Sequence, residues 1–321
     1  MSNFVAVIGA ANIDIGGTPK FPLVMKDSNP GKIEVNYGGV GRNIAHNLAL
    51  LGVKVKLFSV IGGDALGKGM IADCNSLGID TSEVLITPNE TSSMYLYINN
   101  DMGDMELALS HVKIDKLLTP EYLESKLEIL NSADAVVVDC NLSHEALSYI
   151  IENCKAPIYI DPVSQAQARK LEGILSGIDT IKPNRLEAEF LTGMTIRTES
   201  DFKAAAEALL DSGIRRIFIS MGPEGILAAD SENMIIVSQY PAEVRCTTGA
   251  GDSATAALLY ATLNSASMED DLSKLAYAAK AANAVGAMTI ESLSTINPAL
   301  CPERLDERLN SFSMKVRNLN E

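Results

Sequence analysis

Three observations predict an α/β fold: a mainly parallel central sheet flanked by helices, with a small β-sheet lid. Short runs rich in Val and Ile, among them Phe4 to Gly9, Ala135 to Asp139, Ile158 to Asp161 and Arg216 to Ser220, are separated by helical patterns. This is the mark of parallel strands joined by crossover helices. The chain is 47% hydrophobic but only 5% aromatic, with no Trp, a balance that suits Ala-rich helices packed on parallel strands better than a β-sandwich. Three segments that alternate with period two, Lys32 to Tyr37, Ser93 to Ile98 and Met105 to Leu109, stand apart and predict a separate small sheet. No Pro/Ser-rich linker or shift in composition divides the 321 residues, so we expect one domain over 1-321, with lid segments at about 16-37 and 91-111.

Charge and cysteine content exclude several classes. A formal charge of −15, with a pI near 4.7, disfavours nucleic acid or an anionic membrane as a partner. No apolar run approaches the roughly 18 residues of a membrane span. The opening Met1-Ser2-Asn3-Phe4 lacks a basic stretch before an apolar one, so we expect a soluble cytoplasmic protein. Five separated cysteines, Cys74, Cys140, Cys154, Cys246 and Cys301, show neither a disulfide framework nor zinc spacing. His46, His111 and His144 show no metal-ligand spacing either.

Taken in order, Phe4 to Gly9 is a continuous apolar run, as expected of a strand buried on both faces. Asn12 and Asp14 follow at its carboxyl end, the edge where open parallel sheets bind ligands. They either hold the hydroxyls of a polyol or simply turn the chain. The Gly- and Pro-containing stretch up to Tyr37 includes the turn Ser28-Asn29-Pro30-Gly31. A small sheet with an exposed apolar face needs cover, from a substrate cleft or from another subunit. In Gly38-Gly39-Val40-Gly41-Arg42-Asn43 the glycines permit close backbone approach, and Asn43 opens a helix whose stripe is Ile44, Leu48 and Leu51, ended by Gly52. Asn43 is a helix-start residue, a polar contact to something lying on the glycines, or both. Val53 to Gly62 reads as one further strand, and Ile178 to Ile181 as another.

After Lys182-Pro183, Asn184 and Glu187 have the spacing of a capping box. The functional alternative puts both at the active edge, holding waters around Mg²⁺, which prefers oxygen ligands. Ser220 to Gly225 is a tight turn after a strand, and Gly222 and Gly225 could let a nucleotide approach. Thr247-Thr248-Gly249-Ala250-Gly251-Asp252 then runs into an Ala-rich helical segment. The N–H groups of Gly249, Ala250 and Gly251 can close around an anion at the helix N-terminus. Asp252, in the first turn, could take a proton from a hydroxyl that attacks phosphorus, or serve only as a cap.

With these residues in order, the chain resembles the ribokinase-like (PfkB-type) carbohydrate and nucleoside kinases over essentially its whole length. Gly38 to Ala45 is similar to that family's first signature and Thr247 to Asp252 to its second. The resemblance implies transfer of the ATP γ-phosphoryl to a primary hydroxyl, with Asp252 as base and Gly249, Ala250 and Gly251 as anion hole. It implies that Asn12, Asp14, Gly39 and Asn43 hold the sugar. Asn184, Glu187, Gly222, Gly225, Thr248 and Asn283 would serve ATP, with Mg²⁺ reached from Glu187 through water. Cys246 stands where relatives often have Asp or Asn, which leaves activation by K⁺ open. Ser28 to Gly31, Asp139 to Leu142, Asp161 to Ser164 and Lys182 to Asn184 are similar to the members that act on pseudouridine, with Asn29 as the candidate base contact. Another sugar or nucleoside acceptor, or a non-catalytic nucleoside sensor, are the alternatives. A homodimer through the lid is the expected assembly.

Overall fold

The computed structural model describes residues 4–320, so that Met1 to Asn3, which entered the expectation about a leader, lie outside the described residues. In chain order the first elements are β1 (Val5–Ile8), β2 (Asn12–Pro19), β3 (Gly31–Gly38), α1 (Val40–Leu50), β4 (Val55–Phe58), β5 (Val60–Gly62), α2 (Ala65–Ser76) and β6 (Leu85–Thr87). The middle of the chain forms β7 (Met94–Asn99), β8 (Met105–His111), α3 (Pro120–Asn131), β9 (Ala135–Asp139), α4 (His144–Asn153), β10 (Ile158–Asp161), α5 (Gln165–Ala168) and β11 (Thr180–Ile181). Then follow α6 (Arg185–Thr192), α7 (Glu199–Asp211), β12 (Arg216–Ser220), β13 (Ile226–Ala229), β14 (Met234–Val237), α8 (Ala250–Asn264), α9 (Asp271–Ile290), α10 (Pro302–Ser311) and β15 (Val316–Asn318).

Nine strands make the central sheet, in the order β15-β14-β13-β12-β11-β10-β9-β1-β4. From β4 to β12 every neighbouring pair is parallel, and from β12 to β15 every pair is antiparallel. The fold class is therefore as expected, extended by an antiparallel edge. Successive residues of the parallel strands point to opposite faces, and both faces are covered. Val5, Val7, Val137, Tyr159 and Phe218 pack in one core with Ile44 and Leu48 of α1, Ala257 and Leu258 of α8 and Ala278 and Ala282 of α9. Ala6, Ile8, Val136, Val138, Ile160 and Ile217 pack in the other with Leu123, Leu147, Ile150, Phe202 and Leu209. Double coverage is why these strands read as unbroken apolar runs.

The lid sheet has the order β3-β2-β7-β8. It starts at Asn12 rather than near residue 16, so Asn12 and Asp14 lie on a lid strand, not on a loop. Gly16 and Pro19 disguise β2 as a turn in the sequence. Gly16 is there because the Tyr97 ring lies over it: a Cβ would come within 2.5 Å of the phenol oxygen. Two further expectations are corrected. The strand expected over Val53 to Gly62 divides at Ser59, whose hydroxyl donates to the Gly9 carbonyl at 2.7 Å, and β5 pairs with β6 instead of the main sheet. Helix α1 opens at Val40, three residues before Asn43, because Gly39 adopts φ 92° and caps it there.

Candidate active site

The carboxyl ends of β1, β9, β10 and β11 and the N-termini of α1 and α8 meet at one edge. Buried carboxylates draw them together. Asp139, at the end of β9, accepts from the N–H groups of Ala10, Gly41 and Asn141 at 2.8, 2.8 and 2.9 Å, joining the ends of β1 and β9 to the start of α1. Its complete burial is the first cause that pushes it up to about 6. Asp161, its register partner on β10, accepts from the Thr255 hydroxyl of α8 at 2.6 Å. Neither acid was singled out as a site residue from the sequence. The available signal was that the apolar runs Ala135 to Asp139 and Ile158 to Asp161 each end in Asp.

Helix α8 begins at Ala250, with Gly249 as N-cap at φ 82°. A Cβ on Gly249 would lie 2.0 Å from the Thr295 carbonyl, so this position requires glycine on two counts. The first α8 N–H with a firm helical partner is that of Ser253, which bonds the Gly249 carbonyl at 2.9 Å, while the Ala250 N–H makes only a long 3.4 Å bond to the Thr247 carbonyl, as expected of a helix start. Thr248 is exposed beside them. Asp252 sits in this first turn and accepts a 2.8 Å hydrogen bond from the Asn43 amide, although 209 residues separate the two in sequence. Burial, and then the Asp161 carboxylate, push Asp252 up to about 8, against the opposing pull of Asn43 and Lys182.

The other expected sugar-side residues surround this pair. Gly38 carries no Cβ because the Asp14 carboxylate would lie 2.1 Å from it, and Gly39 meets the Ala10 carbonyl in the same way. Burial raises Asp14 to about 6, with Arg42 pulling the other way. Arg42 itself is engaged by the Tyr37 carbonyl at 2.9 Å and Asp73 at 2.6 Å. Asn12 Oδ1 and Asn43 Oδ1 are buried without a hydrogen-bond partner. Orphaned buried acceptors of this kind are costly unless a ligand hydroxyl completes them. Tyr95 and Tyr97 lie on the Asp14 face of the lid, their ring centroids 5.9 Å apart. Sequence reasoning placed both on a lid strand but assigned them no role.

On the nucleotide side, Asn184 and Glu187 form a complete capping box: Asn184 N–H and its side-chain amide donate to the Glu187 carboxylate at 2.8 and 2.7 Å, and Glu187 N–H donates back at 3.0 Å. Both Glu187 oxygens are thereby engaged, which leaves lone pairs for a water rather than an open face for a metal. No group of three or more ligating side chains converges among the described residues. This donor set fits a Mg²⁺ held mainly by phosphates and water. Gly222 and Gly225 frame the turn after β12, next to the bridge between Asn184 and Ser220. Gly225 is fixed by its own neighbours, since a Cβ there would lie 2.0 Å from the Val237 carbonyl. Asn283 donates from its amide to the Val237 and Ser238 carbonyls, both at 3.2 Å, tying α9 to the end of β14. Any nucleotide contact from it falls to its carbonyl oxygen.

Asn29 is not brought to this cluster. Its amide closes a turn with Val24 and Asp27, at 2.8 and 3.0 Å, and it lines a hollow with Ile15, Ile33, Leu96 and Ile98. Ile15, Leu96 and Ile98 alternate with Asp14 and the Tyr97 ring along their strands and so mark the other face of the lid, although the hollow also reaches Tyr97.

A carboxylate in the first turn of a helix with a glycine N-cap, bonded to Asn43 and with orphaned amide oxygens nearby, fits a phosphotransferase. Residues 2–301 match the pfkB family of carbohydrate kinases. The chain belongs to that family, and it is a kinase that acts on a sugar hydroxyl. It is similar to the pseudouridine kinase of Escherichia coli K12, 39% identical over 261 residues that cover 80% of this chain and 82% of that one. It is also similar to the guanosine-inosine kinase of Exiguobacterium acetylicum, 30% identical over 95% of this chain and 99% of that one. Among solved structures, a carbohydrate kinase from Agrobacterium tumefaciens superposes with a TM-score of 0.84 at 25% identity, covering 99% of this chain and 100% of that one.

Proposed function

We propose that this chain transfers the γ-phosphoryl of ATP to the 5′-hydroxyl of pseudouridine, giving pseudouridine 5′-phosphate and ADP. The choice of acceptor rests on one observation, the 39% identity to a pseudouridine kinase across four-fifths of both chains. The chemistry rests on the Asp252–Asn43 contact beside the helix start. Asp252 accepts the hydroxyl proton as the O5′–P bond forms and the bond from phosphorus to the β-phosphate oxygen breaks. The N–H groups at the α8 start face the charge that builds on the phosphoryl oxygens. Glu187 would hold Mg²⁺ through water, and the ion would supply charge neutralisation on the triphosphate. Asn12, Asp14 and Asn43 orient the ribose hydroxyls, and the two buried amide oxygens accept from them.

Tyr97, on the Asp14 face, is the platform for the uracil in this scheme, a part first given to Asn29. Cys246 leaves K⁺ outside the reading, and rates in KCl and choline chloride at one ionic strength measure it. The free cysteines fit a reducing cytoplasm. The full-length similarity to a guanosine-inosine kinase favours one second reading, a purine nucleoside acceptor. Phosphorus and proton NMR of the product test the proposal: a phosphate on the 5′-carbon of pseudouridine is expected, and no product from pseudouridine under conditions where guanosine is consumed overturns it.

A further inference from the structure

Lys182, just after β11, has a side chain only 7% exposed. Its single ion-pair contact among the described residues is Asp161 Oδ2 at 3.7 Å, beyond hydrogen-bond length. That oxygen already accepts from Thr255 at 2.6 Å. The ammonium thus has three donors and no protein acceptor within hydrogen-bond length, and its nitrogen is not among the fully buried unpartnered atoms, so it is open to an acceptor from the cleft. Its Nζ lies 3.9 Å from where a Cβ on Gly251 would stand, beside the first turn of α8. The carboxylates of Asp161 and Asp139 act on Asp252 at this edge, and the Lys182 ammonium opposes them there. A triphosphate tail that reaches the α8 start comes near the carboxylates of Asp252 and Asp161, and a helix start with its partial charge does not balance them alone.

We propose that Lys182 is a catalytic residue whose ammonium binds the non-bridging oxygens of the γ-phosphoryl and follows that group during transfer. The proposal rests on the kinase assignment but not on the identity of the acceptor. As the acceptor oxygen bonds to phosphorus, the bond to the β-phosphate oxygen breaks, ADP departs with that electron pair and the hydroxyl proton passes to Asp252. Lys182 exchanges no proton and holds the charge on the moving group as a point cation.

The test is Lys182→Met, close in length and without charge, in the full chain with Mg²⁺. We expect kcat to fall about 10²–10³-fold, as for loss of one transition-state donor, with acceptor KM within about threefold. By calorimetry, a non-hydrolysable ATP analogue should lose roughly tenfold or more in affinity while ADP stays within about twofold, since only the γ-phosphoryl meets Nζ. A kcat within about threefold of wild type, or equal losses for ADP and the analogue, overturns the proposal. Should the Met variant fail to fold, Lys182→Gln is measured for the same ratio of affinities. A wild-type chain that phosphorylates no acceptor would instead contradict the kinase assignment.

Discussion

At the scale of single residues, the proposed base Asp252 works against stability. Asp252→Asn should lower kcat by roughly 10²–10⁴-fold and leave nucleotide affinity little changed, because only proton transfer is lost. A near-normal kcat would remove Asp252 from the base role. The same variant should melt higher than wild type. Asp252 stands at about 8 in the folded chain against an ordinary value of 3.8. Between those values the folded state keeps a proton that the unfolded state has lost, so this group's contribution to stability is full below about pH 4 and falls as pH rises to about 8. We expect Tm of Asp252→Asn to exceed wild type by roughly 2–5 °C at pH 8, with the gap closing towards pH 4. A gap independent of pH would contradict the assigned shift. Tyr97→Ala tests the base platform: kcat/KM for pseudouridine should fall about tenfold or more, a typical loss of base stacking, while that for ribose changes little. Equal losses for both would mean that Tyr97 serves the lid and not the base.

At the scale of elements, two helix starts and one lid strand make the candidate site, and they differ in how plainly the sequence displays them. The start of α8 was legible because Gly249 to Asp252 combines small residues with a carboxylate at a helix boundary. The start of α1 was legible only in part. Gly39 fixes it through a positive φ and through the Ala10 carbonyl, contacts between distant segments that no local pattern reveals. Strand β2 was hidden for a related reason, since Gly16 marks the packing of Tyr97 and resembles a turn when read alone. Asp139 binds three strand and helix ends into one edge, yet in sequence it is only the last residue of an apolar run. Asn29 shows the opposite situation, in which a residue offered as a ligand contact also closes its own turn.

At the scale of the whole molecule, the lid's outer face is the feature that the fold leaves uncovered. Ile33, Val35, Leu107 and Leu109, on one face of the sheet, are 76%, 50%, 54% and 65% exposed. Apolar area of this kind on an otherwise acidic chain fits a homodimer that buries the two faces together. Light scattering across the micromolar range should give a dimer, and Ile33→Glu combined with Leu109→Glu a folded monomer; a wild-type monomer would count against the assembly. The central claim concerns the acceptor, and fold alone does not decide it. The most direct measurement is kcat/KM for ATP consumption with pseudouridine, uridine, guanosine, adenosine and ribose under identical conditions. Pseudouridine differs from uridine in offering a free N1–H, so a site with a polar group placed for that donor should favour it by a factor of up to about 10⁴. The account predicts that pseudouridine gives the highest value, and a clear preference for guanosine, adenosine or ribose would contradict it.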